Sequence, residues 1–382
     1  MKEMAKARII SKRSVNSVMN EKKFLSQLNH PFLVNMHYAF QDRDNLYLVI
    51  DLMQGGDLRY HIGKHRRFSE EQTKFFIACM ILCLEFLHAN CILHRDIKPE
   101  NLVFDEMGYL RITDLGIARV WNPDNGKDTS GTPGYMAPEV MCRQPHTVSV
   151  DYFAAGVIGY ECMFGKRPYQ GKDRKEIRDH ILSKQVQIRK NEIPPGWSMA
   201  AADFINKLIL RKPTNRLGQN GPQDLKDHLW FKGFPWEELL KKKLAAPFIP
   251  PKEDNFDAKY TNSEWKDANT EQMQQNQALL KRPSVQKLFM GYYHDETILQ
   301  MGTKDGSQMT SSMMMTTNTK AKQTTQAETL PISNDQATPQ QLAQSTSQKG
   351  GRSSVASPQL YPGHGNSAPA LPRENNDQNN MA

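Results

Sequence analysis

The run His94-Arg95-Asp96-Ile97-Lys98-Pro99-Glu100-Asn101 constrains this chain more than any other feature. Asp114-Leu115-Gly116 follows thirteen residues after Asn101, and Ala137-Pro138-Glu139 comes later. These residue types in this order suit one kind of chemistry. Moving a phosphoryl group needs alignment and charge neutralisation more than covalent help. Asp96 can accept a hydroxyl proton. Lys98, two residues on along an extended loop, can offset charge on the moving group. Asn101 and Asp114 supply an amide oxygen and a carboxylate, hard donors of the kind that Mg²⁺ takes. A chance run of polar loop residues would not keep so many ordered matches.

The surroundings read as a folded domain followed by a different texture. Residues 45–52 form a strand-like run, NLYLVIDL, broken by the glycines of QGGDL. Residues 69–90 open with a serine cap and two acids, then become almost wholly apolar, which predicts a buried helix. Residues 151–164 predict a second. Strands come early and helices later, so the expected fold is α+β, with a small β-rich lobe and a larger helical one. After residue 300 the chain is rich in Gln, Ser, Thr and Asn, with Tyr361 as its one aromatic residue. Such a segment buries too little apolar surface to order itself, so 301–382 is expected to be disordered.

The net charge of +8 is spread over a long chain without aromatic interleaving, which argues against nucleic-acid binding. Cys79, Cys83, Cys91, Cys142 and Cys162 form no framework, so they read as small hydrophobes and free thiols. The opening residues are charged throughout, and the longest apolar run, 75–84, is ten residues, about half of a bilayer span. The expectation is a soluble, cytoplasmic monomer without a transmembrane segment, nuclear entry being left open.

On the motifs at 94–101, 114–116 and 137–139, the chain resembles the eukaryotic protein kinases over residues 1–234, with a tail at 235–300. The resemblance implies ATP and Mg²⁺ as cofactors, with Asn101 and Asp114 at the metal. It implies that Lys2 holds the α/β-phosphates and that Glu21, nineteen residues on, holds Lys2. Leu25, Met36, His94 and Leu115 fall where the family stacks its regulatory residues. Ile50 falls at the gatekeeper position, and the backbone of Asp51 and Met53 would meet adenine. Leu115 replaces the more usual phenylalanine and remains apolar. Glu139 is expected to brace the large lobe through Arg216.

Within the family the chain is similar to the AGC group, on PFLVNMHYAFQD (31–42), PTNRLG (213–218) and AAPFIPP (245–251) with NFDAKY (255–260). GGDLRYHI looks most like the YANK kinases and the receptor kinases of that group. The likeness implies that Phe256 and Tyr260 tether the tail to the active site, and that Phe289 and Tyr292 fill a groove beside the small-lobe helix. Ser284 could be a turn phosphosite. Lys98 and Thr132 sit where serine/threonine kinases place them, which implies Ser or Thr as acceptor. Asp57, Glu100 and Glu161 match positions that meet basic substrate side chains, Asp57 also lying near the nucleotide. Protein substrates with basic residues near the target hydroxyl are therefore expected.

Two departures stand out. Asp128 occupies the place where many AGC kinases carry a phosphorylated threonine, so it could pair with Arg95 in the phosphate's stead. Alternatively Thr129 is the phosphosite, with the register shifted by one. No G-x-G-x-x-G occurs, and Lys2 leaves no room before it for a phosphate-covering hairpin. The expectation is an N-terminally truncated copy of an active kinase, and the alternative is a loop-less scaffold or pseudokinase.

Overall fold

The computed structural model describes residues 1–251 and 278–297. Phe256, Tyr260 and the compositionally biased stretch after residue 300 lie outside the described residues.

The small lobe opens with β1 (Lys2–Ala5), α1 (Lys6–Ser11) and α2 (Val15–Leu25). A hairpin follows, β2 (Met36–Gln41) and β3 (Asn45–Ile50). β3 alternates buried Leu46 and Leu48 with more accessible neighbours, as a strand with one covered face should. β1 pairs antiparallel with β3, setting Lys2 opposite Leu48. The hairpin register slips between Met36 and Tyr38, so His37 sits at an irregularity that re-aims its side chain.

The large lobe begins with α3 (Leu58–His65) and α4 (Glu70–Ala89). Ser69 and Gln72 close a reciprocal capping box at the start of α4, with bonds of 3.1 and 3.0 Å. Every residue of α4 from Phe75 to Leu84 is buried among apolar neighbours, and the helix centres the core. It is the one helix among the described residues that is long and apolar enough to cross a membrane, and two-thirds of that stretch is buried within the protein. Cys79 and Cys83 lie inside it as small hydrophobes, and burial pushes the Cys79 thiol up to about 12.

Short strands follow: β4 (Ile92–Leu93), β5 (Leu102–Phe104), β6 (Leu110–Ile112) and β7 (Arg119–Val120). β5 pairs with β6 and β4 with β7, both antiparallel. The helices α5 (Pro138–Met141), α6 (Ser149–Phe164), α7 (Arg174–Ser183) and α8 (Met199–Leu208) come next, with two short helical turns after them. α6 packs between α4 and α8 and ends at Gly165, whose φ of +72° suits a residue without Cβ. A Cβ there would also lie 2.7 Å from the Arg66 carbonyl.

The chain then returns to the small lobe. Phe289 and Tyr292 are fully buried, and Lys6 lies over the Phe289 ring while donating to the carbonyl of Asp42 and to Gln286. β8 (His294–Asp295) adds to β2, giving a four-stranded sheet in the order β1-β3-β2-β8. The join is locked by His37, whose Nδ1 is 2.6 Å from Glu296 Oε2 and whose Nε2 is 3.0 Å from Asp51 Oδ1.

Glu296 chiefly raises the His37 pKa, against partial burial and with help from Asp51. A raised histidine stabilises the folded contact at pH values below its unfolded value of about 6.5, and that contribution fades as pH climbs through the folded value. His37 is half-exposed, so the effect should stay below about 1 kcal/mol. Amide exchange at residues 294–296, corrected for its intrinsic pH dependence, should therefore quicken from pH 6 to 8. H37Q should remove the trend.

Candidate active site

The catalytic-loop residues converge because buried groups hold their backbone. Asp151, at the start of α6 and 1% exposed, accepts from the backbone N–H of His94 (3.0 Å) and of Arg95 (2.8 Å). His88 adds a third bond, 2.9 Å from Nε2. Burial works against the Asp151 charge, but His88 and these bonds outweigh it and hold the carboxyl below the usual carboxylate range. Arg95 takes φ +69° and Asp114 +64°, left-handed values that are costly for non-glycine residues and persist where surrounding contacts enforce them.

Asp96 stands at the centre. Its Oδ1 accepts from the Thr132 hydroxyl (2.7 Å) and backbone N–H (3.1 Å), and its Oδ2 from Lys98 Nζ (2.7 Å) and Asn101 Nδ2 (3.2 Å). Lys98 also reaches the Thr132 hydroxyl at 3.2 Å. Burial pushes the Asp96 carboxyl up, but Lys98 and Thr132 pull harder, so it lies below its ordinary value. An ionised carboxylate between a cation and a hydroxyl is ready to take a proton.

Asn101 and Asp114 flank the open end of the β5–β6 hairpin. Leu102 pairs with Ile112, and the Thr113 N–H donates to the Asn101 carbonyl at 3.0 Å. Asn101 turns its amide nitrogen to Asp96, which leaves its side-chain oxygen as an acceptor. One Asp114 oxygen takes the Gly116 N–H at 3.1 Å. An amide oxygen and a carboxylate cannot cage a cation alone. They fit Mg²⁺, which keeps waters and takes its other ligands from phosphates. Across the cleft, Lys2 Nζ lies 3.1 and 3.2 Å from the two Glu21 oxygens. Burial opposes the Lys2 charge, yet Glu21 and Asp114 raise its pKa, so it is cationic at neutral pH. Ile50 ends β3. The Asp51 N–H already donates to the Asn35 carbonyl at 3.0 Å, which leaves the Asp51 carbonyl as that residue's backbone group for a base edge.

Residues 1–231 match the protein kinase domain family. The chain belongs to the protein kinase family. It is 40% identical over 252 residues to a probable serine/threonine-protein kinase of Dictyostelium discoideum, covering 65% of this chain and 54% of that protein. It is 38% identical over 275 residues to ribosomal protein S6 kinase alpha-6 of Homo sapiens, covering 70% and 36%. It is 36% identical over 270 residues to serine/threonine-protein kinase sgk-1 of Caenorhabditis elegans, covering 69% and 57%. The S6 and sgk-1 relatives support an AGC-type kinase. The matched part of this chain spans about half the length of its relatives, or less.

Within the kinase domain the remaining candidate residues divide. Leu25, Met36, His94 and Leu115 are all buried. Asn20 fastens the Asp-Leu-Gly segment to α2 by donating to the Leu115 and Ala118 carbonyls at 3.2 and 2.9 Å. Arg95 donates through Nε to the Ile117 carbonyl (2.8 Å) and sets Nη1 3.2 Å from Asp128 Oδ2. Thr129 instead offers its carbonyl to Arg174. Glu139 and Arg216 form a fully buried bidentate pair at 2.6 and 2.9 Å.

The three acids matched to substrate-facing positions each have a partner within the chain. Asp57 caps α3, accepting from the Tyr60 N–H at 2.8 Å. Glu100 and Glu161 are both engaged by Arg59, and Glu161 is buried as well.

Sequence reasoning also missed Asp151, Asn20, Arg59 and Tyr135. Asp151 carried a usable signal, since a carboxylate opening a run as apolar as 152–158 must find buried donors.

Proposed function

We propose that this chain transfers the γ-phosphoryl group of ATP to serine or threonine hydroxyls of proteins. The observation that carries this reading is Asp96, ionised and held between Lys98, Asn101 and Thr132. As the acceptor oxygen bonds to phosphorus, Asp96 takes its proton, and the bond to the leaving diphosphate oxygen breaks. Lys98 offsets charge on the transferring group, and Lys2, steadied by Glu21, holds the nucleotide phosphates. Asn101 and Asp114 are the residues that would hold Mg²⁺, which when bound neutralises phosphate charge. Nothing in the geometry favours a non-catalytic scaffold. Of the acids expected to meet a substrate's basic residues, Glu100 is partly exposed and Glu161 is buried, and Arg59 bonds both. A reducing, cytoplasmic setting suits the free thiols.

The test is label transfer from γ-³²P-ATP to a serine peptide library in Mg²⁺, with phosphoamino-acid analysis. Label on serine or threonine is expected; no transfer to any acceptor refutes the proposal.

Asp128 supports activity without prior phosphorylation. Its carboxylate offers Arg95 one charge and two acceptor oxygens, fewer than a phosphate would. Protein made in bacteria and shown phosphate-free by mass spectrometry should label peptides. D128A should lower kcat by about tenfold, since it strips a buried guanidinium of its counter-ion. Silence until Thr129 is modified would overturn this.

A further inference from the structure

Arg59, one residue into α3, holds together acids that lie far apart in the chain. Its Nε donates to Glu100 Oε1 at 3.1 Å, and its Nη1 and Nη2 to the two Glu161 oxygens at 2.9 and 3.2 Å. The Tyr135 hydroxyl joins them, accepting from Arg59 Nη2 and donating to Glu161 Oε2 at 2.6 Å. Burial opposes the Arg59 charge, but Glu161, Tyr135 and Glu100 raise its pKa and keep it cationic. This cluster adjoins the reacting centre. Glu100 is four residues beyond Asp96, and Tyr135 is three beyond Thr132, which bonds Asp96.

The geometry is that of an arginine fork gripping a carboxylate, with a second carboxylate on its Nε. Both Glu161 oxygens are used, and the side chain is 6% exposed. A second guanidinium, Arg167, lies over the Tyr135 ring at 5.7 Å. Arg59 thus already supplies the guanidinium that both Glu100 and Glu161 bond, while the nearby Asp57 carboxylate is committed to capping α3. An arginine arriving on a substrate would have to displace Arg59 and then remake the same bonds, an exchange of like for like with little net gain.

We propose that Arg59 is a resident occupant of the place a substrate's basic side chain would take, and so makes this kinase largely indifferent to arginine near the target hydroxyl. Arg59 is then a specificity-determining residue, and its removal uncovers a selectivity latent in Glu100 and Glu161. This rests on the protein-kinase reading above, and it deepens the substrate class of that same site.

The experiment uses the full chain and two fluorescent serine peptides, identical except that one carries arginines upstream of the serine and the other alanines. Both Kd, by anisotropy, and kcat/KM are measured for the parent, R59Q and R59A. The parent should distinguish the peptides by less than about fivefold. The variants should raise the arginine-to-alanine ratio by about tenfold or more, because a paired charge-assisted fork becomes available to the peptide. A parent preference above about fivefold overturns the proposal. So does an unchanged ratio in a variant whose melting curve shows it folded. If neither variant folds, the parent's ratio decides. If no protein transfers phosphate, the enzymatic reading fails, while the ratio of binding constants still decides the role of Arg59.

Discussion

Replacing Asp96 with asparagine should lower kcat by about 10²–10⁴-fold, the range expected when a positioned proton acceptor is lost. The side chain keeps its size, so the loss would report chemistry more than packing. Two local consequences sharpen the expectation. An amide set in place of the carboxylate would turn its NH₂ toward Lys98 Nζ and Asn101 Nδ2, both donors, or toward the Thr132 hydroxyl and N–H, also donors. Some misplacement of Lys98 should therefore accompany the lost base. D96A, which frees Lys98, should lose comparable activity by the first effect alone. ATP affinity, set by other residues, should change far less, and steady-state kinetics with varied ATP separates the two. The pH dependence has a definite sign. The Asp96 pKa is depressed, so its charge persists above its ordinary value of about 3.9 and is lost only as pH falls through the lower folded value. An acid limb in kcat near pH 6 would have to come from another group.

Glu139→Ala should destabilise the large lobe by about 3–5 kcal/mol, because it strands the Arg216 guanidinium in a place with no water. Arg216 is completely buried and Glu139 nearly so, and the two are joined by two short parallel bonds. Arg216 also stacks over Phe153 at 4.9 Å and donates to the Leu210 carbonyl at 2.9 Å, so it cannot swing out without losing packing in α6. For a domain of this size the loss corresponds to a fall in Tm of roughly 6–20 °C. Replacing both partners with apolar residues of similar volume should cost much less, since no uncompensated charge is left behind. Thermal and urea denaturation of the single and double variants checks both statements. Equal destabilisation in the two would mean that the site works by shape alone.

The catalytic loop was legible because its chemistry is local in sequence. Asp96, Lys98 and Asn101 lie within six residues, and the side chains meet as their spacing implies. The nineteen-residue step from Lys2 to Glu21 was legible only through the resemblance to the kinases, and β1 and α2 bring the two side chains together. α4 and α6 were legible from continuous apolar runs. The intrachain partners of the candidate substrate acids were hidden for the opposite reason. Arg59 and Glu161 are separated by 102 residues, and no periodicity or composition connects them. The strand that residues 294–295 add to the sheet was equally hidden, since two residues carry no pattern.

The amino-acid sequence alone determined the order of lobes, the reacting groups and the class of chemistry, because each depends on residue type and short spacing. Tertiary structure alone decided which of the other charges are already satisfied: Asp151 by two backbone N–H groups and His88, and Glu161 by Arg59. The reason is electrostatic. A carboxylate's meaning depends on the donors within about 3 Å once water is removed, and burial brings together groups that the chain keeps far apart.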